Sequence, residues 1–293
     1  MGIPDGDGQT IGPGSQQLPP GGYRYGPPPP RPGAPVIHGW PHPLPVAPAP
    51  ASDPSPEPAP EPRPPHRWGL GAYLLVEVVF LGASFLVSAL FAGPDGLGVP
   101  GILLALGAPT LLAAGTALLV TRLRGNGPRL DLGLSVRARD LGIGLALGFG
   151  GLLLSIPASL VYAAVVGPEQ ATSTVGQIFD GVRVGWPIAV LVFLLVVVVA
   201  PICEEIVYRG LLWGAVEKLG ANRWVAFLIT TLLFAMAHFE LTRTPLLLVV
   251  ALPIGLARAI TGRLPAGVVA HAVNNLLPGL ALALALTGAL PAV

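Results

Sequence analysis

The sequence predicts an all-α fold: a polytopic membrane helical bundle of about seven transmembrane helices, preceded by a disordered proline-rich N-terminal tail. Three observations carry this. Of the 293 residues 52% are hydrophobic and 11% charged, against about 25% charged in ordinary soluble domains, and mean hydropathy is +0.70. The apolar residues gather into runs near the ~20 residues that a helix needs to cross ~30 Å of hydrocarbon. Finally, 22 of the 35 prolines fall in the first 65 residues. This composition excludes a soluble globular enzyme. The single cysteine, Cys203, lies inside an apolar run and excludes a disulfide framework or thiolate metal cluster. A net charge of +1 leaves no basis for neutralising a phosphate backbone, so nucleic acid is not an expected partner.

The tail, residues 1–66, holds blocks such as Pro27 to Pro30 and Pro54 to Pro65. Proline lacks the backbone donor and fixes φ, so this stretch is expected to sample polyproline II and coil at about 3.1 Å per residue where extended. It reads as a cytosolic extension that could also present an SH3-like partner with a binding segment. No signal peptide is apparent, because the first hydrophobic run begins only near Trp68.

The membrane domain, residues 67–293, has apolar runs at about 69–92, 101–120, 141–166, 186–203, 223–239, 246–261 and 265–290. In hydrocarbon every backbone polar group must be satisfied internally, and runs that do not alternate argue for helices over a barrel. The fourth run continues into Ile206 to Leu219, as one long helix or as a span plus a re-entrant piece. Arg63 and Arg67 precede the first span, and Arg122, Arg124, Arg129, Arg137 and Arg139 follow the second. By the positive-inside rule these sides, and the N-terminus, are expected to be cytoplasmic. Arginine greatly outnumbers lysine, and Ala, Gly and Pro abound, which suggests a GC-rich bacterial genome and a bacterial plasma membrane.

Ionisable side chains inside spans cost at least ~2.5 kcal/mol each and call for explanation. Glu77 stands alone in the first run, and Arg258 lies near a cytoplasmic end where it can snorkel. The others form a pattern. Glu204 and Glu205 are adjacent, and Arg209 lies four residues beyond Glu205, on the same helical face. That pairing leaves Glu204 free, and a carboxylate in a poorly solvated site is suited to taking a proton from water. Leu219 to Asn222 reads as a helix stop and turn, with Glu204 17 residues before Ala221 and His238 17 after it. The two therefore sit at similar depth if the helices are antiparallel. Phe234 shares a face with His238, and His271 shares one with Asn275. The last pair offers donors suited to the oxyanion that forms when water attacks an amide carbonyl.

The ordered set Glu204-Glu205-x-x-x-Arg209, Phe234-x-x-x-His238 and His271-x-x-x-Asn275, with Tyr208 and Gly210, resembles the three motifs of the CPBP (CAAX prenyl protease and bacteriocin-processing, or Abi) family of intramembrane proteases. The resemblance covers about residues 180–290. It implies hydrolysis of a peptide bond in a hydrophobic or membrane-associated peptide. In that scheme Glu204 and His238 activate water, His271 and Asn275 act as oxyanion donors, and Glu205, Arg209 and Phe234 support them. Family members are often called metalloproteases. Zinc needs three protein ligands and an open position, and Glu204, His238 and His271 are the candidates; using both histidines would remove an oxyanion donor, so the expectation is a metal-free mechanism with zinc as the alternative.

Two other functions remain in view. A non-catalytic immunity or scaffold relative of the same family would keep the motifs without turnover. A transporter would spread charged groups over several spans, whereas here they concentrate in the C-terminal part. One difficulty concerns depth: His271 is about seven residues past the Arg263–Leu264 turn, an offset of roughly 15 Å from Glu204 and His238 at 1.5 Å per residue. Helix tilt or a protruding hairpin between residues 206 and 223 must absorb it.

Overall fold

The computed structural model describes residues 65–93 and 96–290. The tail expected to be disordered lies, up to residue 64, outside the described residues. Seven apolar helices form the described bundle: α1 (Leu70–Phe91), α2 (Val99–Arg124), α3 (Ala138–Val166), α4 (Trp186–Lys218), α5 (Arg223–Met236), α6 (Thr244–Thr261) and α7 (Leu264–Thr287). All except α5 are long and apolar enough to cross a bilayer. At 14 residues, α5 extends only about 21 Å. The seven runs of the sequence thus correspond to seven helices, of which six qualify as spans. Between α1 and α2 a two-residue antiparallel ladder pairs Ala92 with Leu97 and Gly93 with Gly96.

The bundle is turned inside out relative to a soluble protein. Phe85, Leu153 and Val165 are each at least 75% exposed, whereas Glu205 and Arg209 are fully buried. A contiguous apolar exterior of this extent needs a lipid solvent, and the chain is an integral membrane protein.

Without a hydrophobic drive between helices in lipid, close packing of small residues holds them together. Gly144, Gly148 and Gly151 form such a stripe on α3 against α7. A Cβ at Gly144 would lie 2.7 Å from Val269 Cβ, one at Gly148 2.7 Å from Val273 Cβ, and one at Gly151 2.6 Å from Asn274 Nδ2. Only glycine lets the two backbones approach this closely.

The helix α4 settles the choice left open by its sequence: it is one continuous helix of 33 residues, with two widened π segments, Leu195–Val199 and Ile206–Leu212. The first precedes Pro201, which has no N–H to offer the preceding turn, and there the Ala200 N–H reaches back to Leu195 O. The second begins directly after Glu205 and carries Tyr208 and Arg209. Single π turns inside α-helices often mark functional sites.

The α4–α5 turn is built as expected. Gly220 takes a left-handed φ of 90°, and Asn222 caps α5, its side-chain oxygen accepting from Trp224 N at 2.9 Å and Val225 N at 3.1 Å. Leu264, the first residue of α7, packs beside Gly210, 3.5 Å from where a Cβ would stand. Helix α7 therefore begins level with Gly210, not level with the α4–α5 turn. Glu204 is six residues before Gly210 and His271 seven after Leu264, so the protruding hairpin absorbs the depth offset.

Trp68 marks where the described fold begins. It is 2% exposed, stacks on His66 with centroids 3.7 Å apart, and donates its indole N–H to Asp131 at 3.0 Å. Lys218 Nζ closes the arrangement by donating to Trp68 O at 2.8 Å.

Candidate active site

The site is assembled by α4, α5 and α7, with α1 as its outer wall. Glu205 Oε1 accepts from Arg209 Nη1 at 2.8 Å, both side chains being fully buried. This is the i, i+4 pair that the sequence spacing implies. The same oxygen faces His271 Nδ1 at 3.2 Å. Glu205 Oε2 has no hydrogen-bond partner among the described residues and faces Gly267, where a Cβ would lie 2.7 Å away. The glycine leaves the room that this carboxylate occupies.

Phe234 is the hub of the site. The Arg209 guanidinium lies over its ring, 4.2 Å from the centroid, a cation–π contact strengthened by exclusion of water. Its edges meet His238, His271 and Tyr208, with centroids 4.9, 5.5 and 5.3 Å away. A residue expected from its place in the motif to support the site thus touches both histidines and the buried cation.

His238 follows the end of α5, and its Nδ1 lies 2.8 Å from Phe234 O. A carbonyl only accepts, so Nδ1 carries the hydrogen. In the neutral ring this leaves Nε2 as an unprotonated acceptor. The ring lines two cavities. One, of about 260 Å3, it shares with Glu204, Glu77, Cys203, Tyr208 and Phe234. The other, of about 530 Å3, it shares with Asn275, Ser159, Arg183 and Arg243. Glu204, whose side chain is 27% exposed, opens into the smaller cavity. Among the described residues no hydrogen bond joins Glu204 to His238; they meet as two walls of one chamber.

His271 stands behind Glu204, with its side chain 4% exposed and its Nε2 3.6 Å from Glu204 Oε2. Asn275 faces the larger cavity, and its amide donates to Val196 O at 3.0 Å, a carbonyl of the first π segment. Glu204 and Asn275 therefore lie on the two cavities that the His238 ring shares, while His271 lines neither and is joined to His238 through the Phe234 ring. Among the described residues no three His, Cys, Asp or Glu side chains are placed to hold a metal ion together. Within the set Glu204, His238 and His271, His271 Nε2 lies 3.6 Å from Glu204 Oε2, while His238 meets Glu204 only across the chamber; no step below is routed through a metal.

Two residues of the site, Glu77 and Glu240, lie outside the three motifs. Glu77 on α1 lines the Glu204 cavity and accepts from the Tyr208 hydroxyl at 3.2 Å. Its signal was its position as an ionisable group within an apolar run. Glu240, two residues past His238, accepts from Thr174 N at 2.7 Å and pairs with Arg243. This bond fastens the segment between α3 and α4 over the site, where Val175 lines both cavities. Phe179 anchors the segment's far end, buried against Ala189, Val192 and Leu286. Burial raises the Glu240 pKa, but the Thr174 hydrogen bonds and Arg243 outweigh it and hold the carboxyl below its ordinary value.

Arg258 also departs from the snorkelling expectation. It is 6% exposed, donates to Gly262 O at 2.7 Å, and lies over the Trp213 ring at 5.7 Å.

Fold and site define a helical integral membrane protein that gathers carboxylates and imidazoles inside its bundle. Residues 186–277, which span α4, α5, α6 and the motif part of α7, match the Rce1-like family of type II CAAX prenyl endopeptidases. The membrane-embedded CAAX protease MroQ of Staphylococcus aureus (strain USA300) is 26% identical over 171 residues, covering 56% of this chain and 68% of that relative. No solved structure matches the chain. All three motifs fall in order within the matched stretch, and the family match and the likeness to MroQ together support the CPBP family of CAAX-protease-like proteins.

Proposed function

We propose that the protein is an intramembrane endopeptidase that hydrolyses a peptide bond of a hydrophobic or membrane-associated peptide. The observation that carries this reading is the His238 tautomer: Nδ1–H is held by Phe234 O, which leaves Nε2 as a base on the chamber shared with Glu204. A water in that chamber loses a proton to the Glu204–His238 pair as its oxygen bonds to the scissile carbonyl carbon. The carbonyl electrons move onto oxygen, toward His271 and Asn275, with Asn275 exchanging its bond to Val196 O for one to the oxyanion. Collapse of the tetrahedral intermediate breaks the C–N bond, and the proton is returned to the departing amine. Glu205 and Arg209 act by holding His271 and Phe234 in place.

The larger cavity, with Arg183 and Arg243 among its lining residues, suits the peptide. The smaller suits the water. MroQ is named for CAAX proteolysis; for this chain, peptide processing at a bacterial plasma membrane, with the N-terminus cytoplasmic, is the reading that its composition and arginine distribution support. The test compares membrane and secreted peptidomes of cells carrying the native protein or Glu204→Gln, together with turnover by the purified proteins. Peptides that appear only with the native protein support the assignment. Full turnover by purified Glu204→Gln would remove Glu204 from the chemistry, and identical peptidomes with an inactive native protein would favour a non-catalytic relative.

A further inference from the structure

At the end of the bundle where α4 stops and α5 begins, the α2–α3 connection and the α6–α7 turn enclose a cleft of about 900 Å3 that has no part in the site above. It is lined by five arginines, Arg129, Arg137, Arg223, Arg258 and Arg263, against two carboxylates, Asp131 and Glu217. Of these two carboxylates Asp131 is already engaged, and Glu217 makes no ion pair with the arginines among the described residues. Asp131 accepts from Trp68 Nε1 at 3.0 Å and from Asn126 N at 2.9 Å. Arg263 is the one arginine fully matched, by two bonds of 2.6 Å to Asp140. Arg129, Arg137, Arg223 and Arg258 make no ion pair among the described residues.

Arg258 is the telling member. Its guanidinium is taken almost wholly out of water, at 6% exposure, and its Nε has no hydrogen-bond partner among the described residues. A buried guanidinium without an ionic partner is costly, and its planar fork matches phosphate geometry. The rim has the opposite character: Leu130 and Ile260 line the same cleft and are 53% and 47% exposed. The cleft lies among connections at one end of the candidate spans, where a bilayer crossed by those spans would place its headgroups, and basic pockets at that level suit acidic lipid headgroups.

We infer that this cleft is a binding site for the phosphate of an anionic phospholipid, held by Arg129, Arg223 and Arg258 with its acyl chains along Leu130 and Ile260. The apolar rim is what favours a lipid over a free phosphate ester, since a soluble ester makes no use of it. The site is independent of the proteolytic reading, and its readout is binding.

The experiment uses the full chain purified in a neutral detergent. Thermal unfolding and native mass spectrometry are followed with phosphatidylglycerol, with phosphatidylcholine and with glycerol 3-phosphate. Phosphatidylglycerol is expected to bind and raise the unfolding temperature more than phosphatidylcholine does. Arg129→Ala/Arg223→Ala, which changes two exposed side chains, is expected to weaken its binding about tenfold or more. Arg122→Ala/Arg124→Ala, also exposed and equal in charge but outside the cleft, is expected to bind as the native protein does. Equal losses in the two double variants, or no loss in the first, would overturn the site and leave only general attraction of a basic surface to acidic lipid. If glycerol 3-phosphate alone reproduces the whole shift, and the first variant abolishes it, the lipid assignment falls and a soluble phosphate ester takes its place.

Discussion

The Nε2 of His271 stands 3.6 Å from Oε2 of Glu204, and neither atom makes a hydrogen bond among the described residues. On its other side the ring meets Glu205, which Arg209 holds in place. His271 is thus tied by position to both adjacent carboxylates. His271→Ala is expected to lower turnover about 100- to 1000-fold with substrate affinity little changed, and chelators are expected to have little effect. Turnover and metal content of the purified native and variant proteins check this together. Stoichiometric zinc that vanishes with His271→Ala or His238→Ala would replace the metal-free scheme.

The Glu205–Arg209 pair is expected to act on stability. Both side chains are fully buried, so Glu205→Gln or Arg209→Ala leaves the partner's charge uncompensated at a cost of about 3–5 kcal/mol. Abundance in membranes and unfolding temperature in detergent should fall along with activity, and the double variant should lose less than the sum of the two. Independent, additive losses would show that the two groups do not depend on each other.

Helix α3 offers an internal control for close packing. Gly148→Ala sets a Cβ 2.7 Å from Val273 Cβ, whereas Gly150→Ala meets nothing within 4 Å. The first is expected to destabilise by about 1–3 kcal/mol, and the second to be neutral or to gain up to about 1 kcal/mol of helix propensity. Unfolding temperatures of the two variants, measured in one detergent, decide it.

The Glu240 bond to Thr174 makes closure of the 167–185 segment depend on pH. Because the folded-state pKa lies below the ordinary value of 4.5, this bond contributes its full stability above that value. It is lost as pH falls through the lower, folded-state value. Hydrogen exchange across residues 172–178 should accelerate over that acidic window in the native protein. In Glu240→Gln it should be faster already at neutral pH. A variant with native exchange rates would show that the segment is held elsewhere.

Much of the bundle is legible in the sequence because lipid imposes a length and a composition on each span. The run at 69–92 anticipates Leu70–Phe91 within a residue at either end. The Glu205–Arg209 pair was readable for a similar reason, since helical spacing alone puts those side chains on one face. What escaped depends on relations between distant residues. No local pattern announces that Leu264 packs beside Gly210, which is what sets the depth of His271 against Glu204. The π segments in α4 shift the register of everything after them, and only Pro201 hints at the first. The arginine cleft draws on three separate connections, each of which reads alone as ordinary positive-inside charge.

His238 forms part of the wall of two cavities, about 260 and 530 Å3 in volume. A compact apolar molecule in the smaller and a peptide mimic in the larger would not compete for space, yet both would press on the same imidazole. The two kinds of inhibitor should therefore combine, each silencing the ring from its own side. A substitution that gives resistance to one by reshaping its cavity would leave the other fully potent.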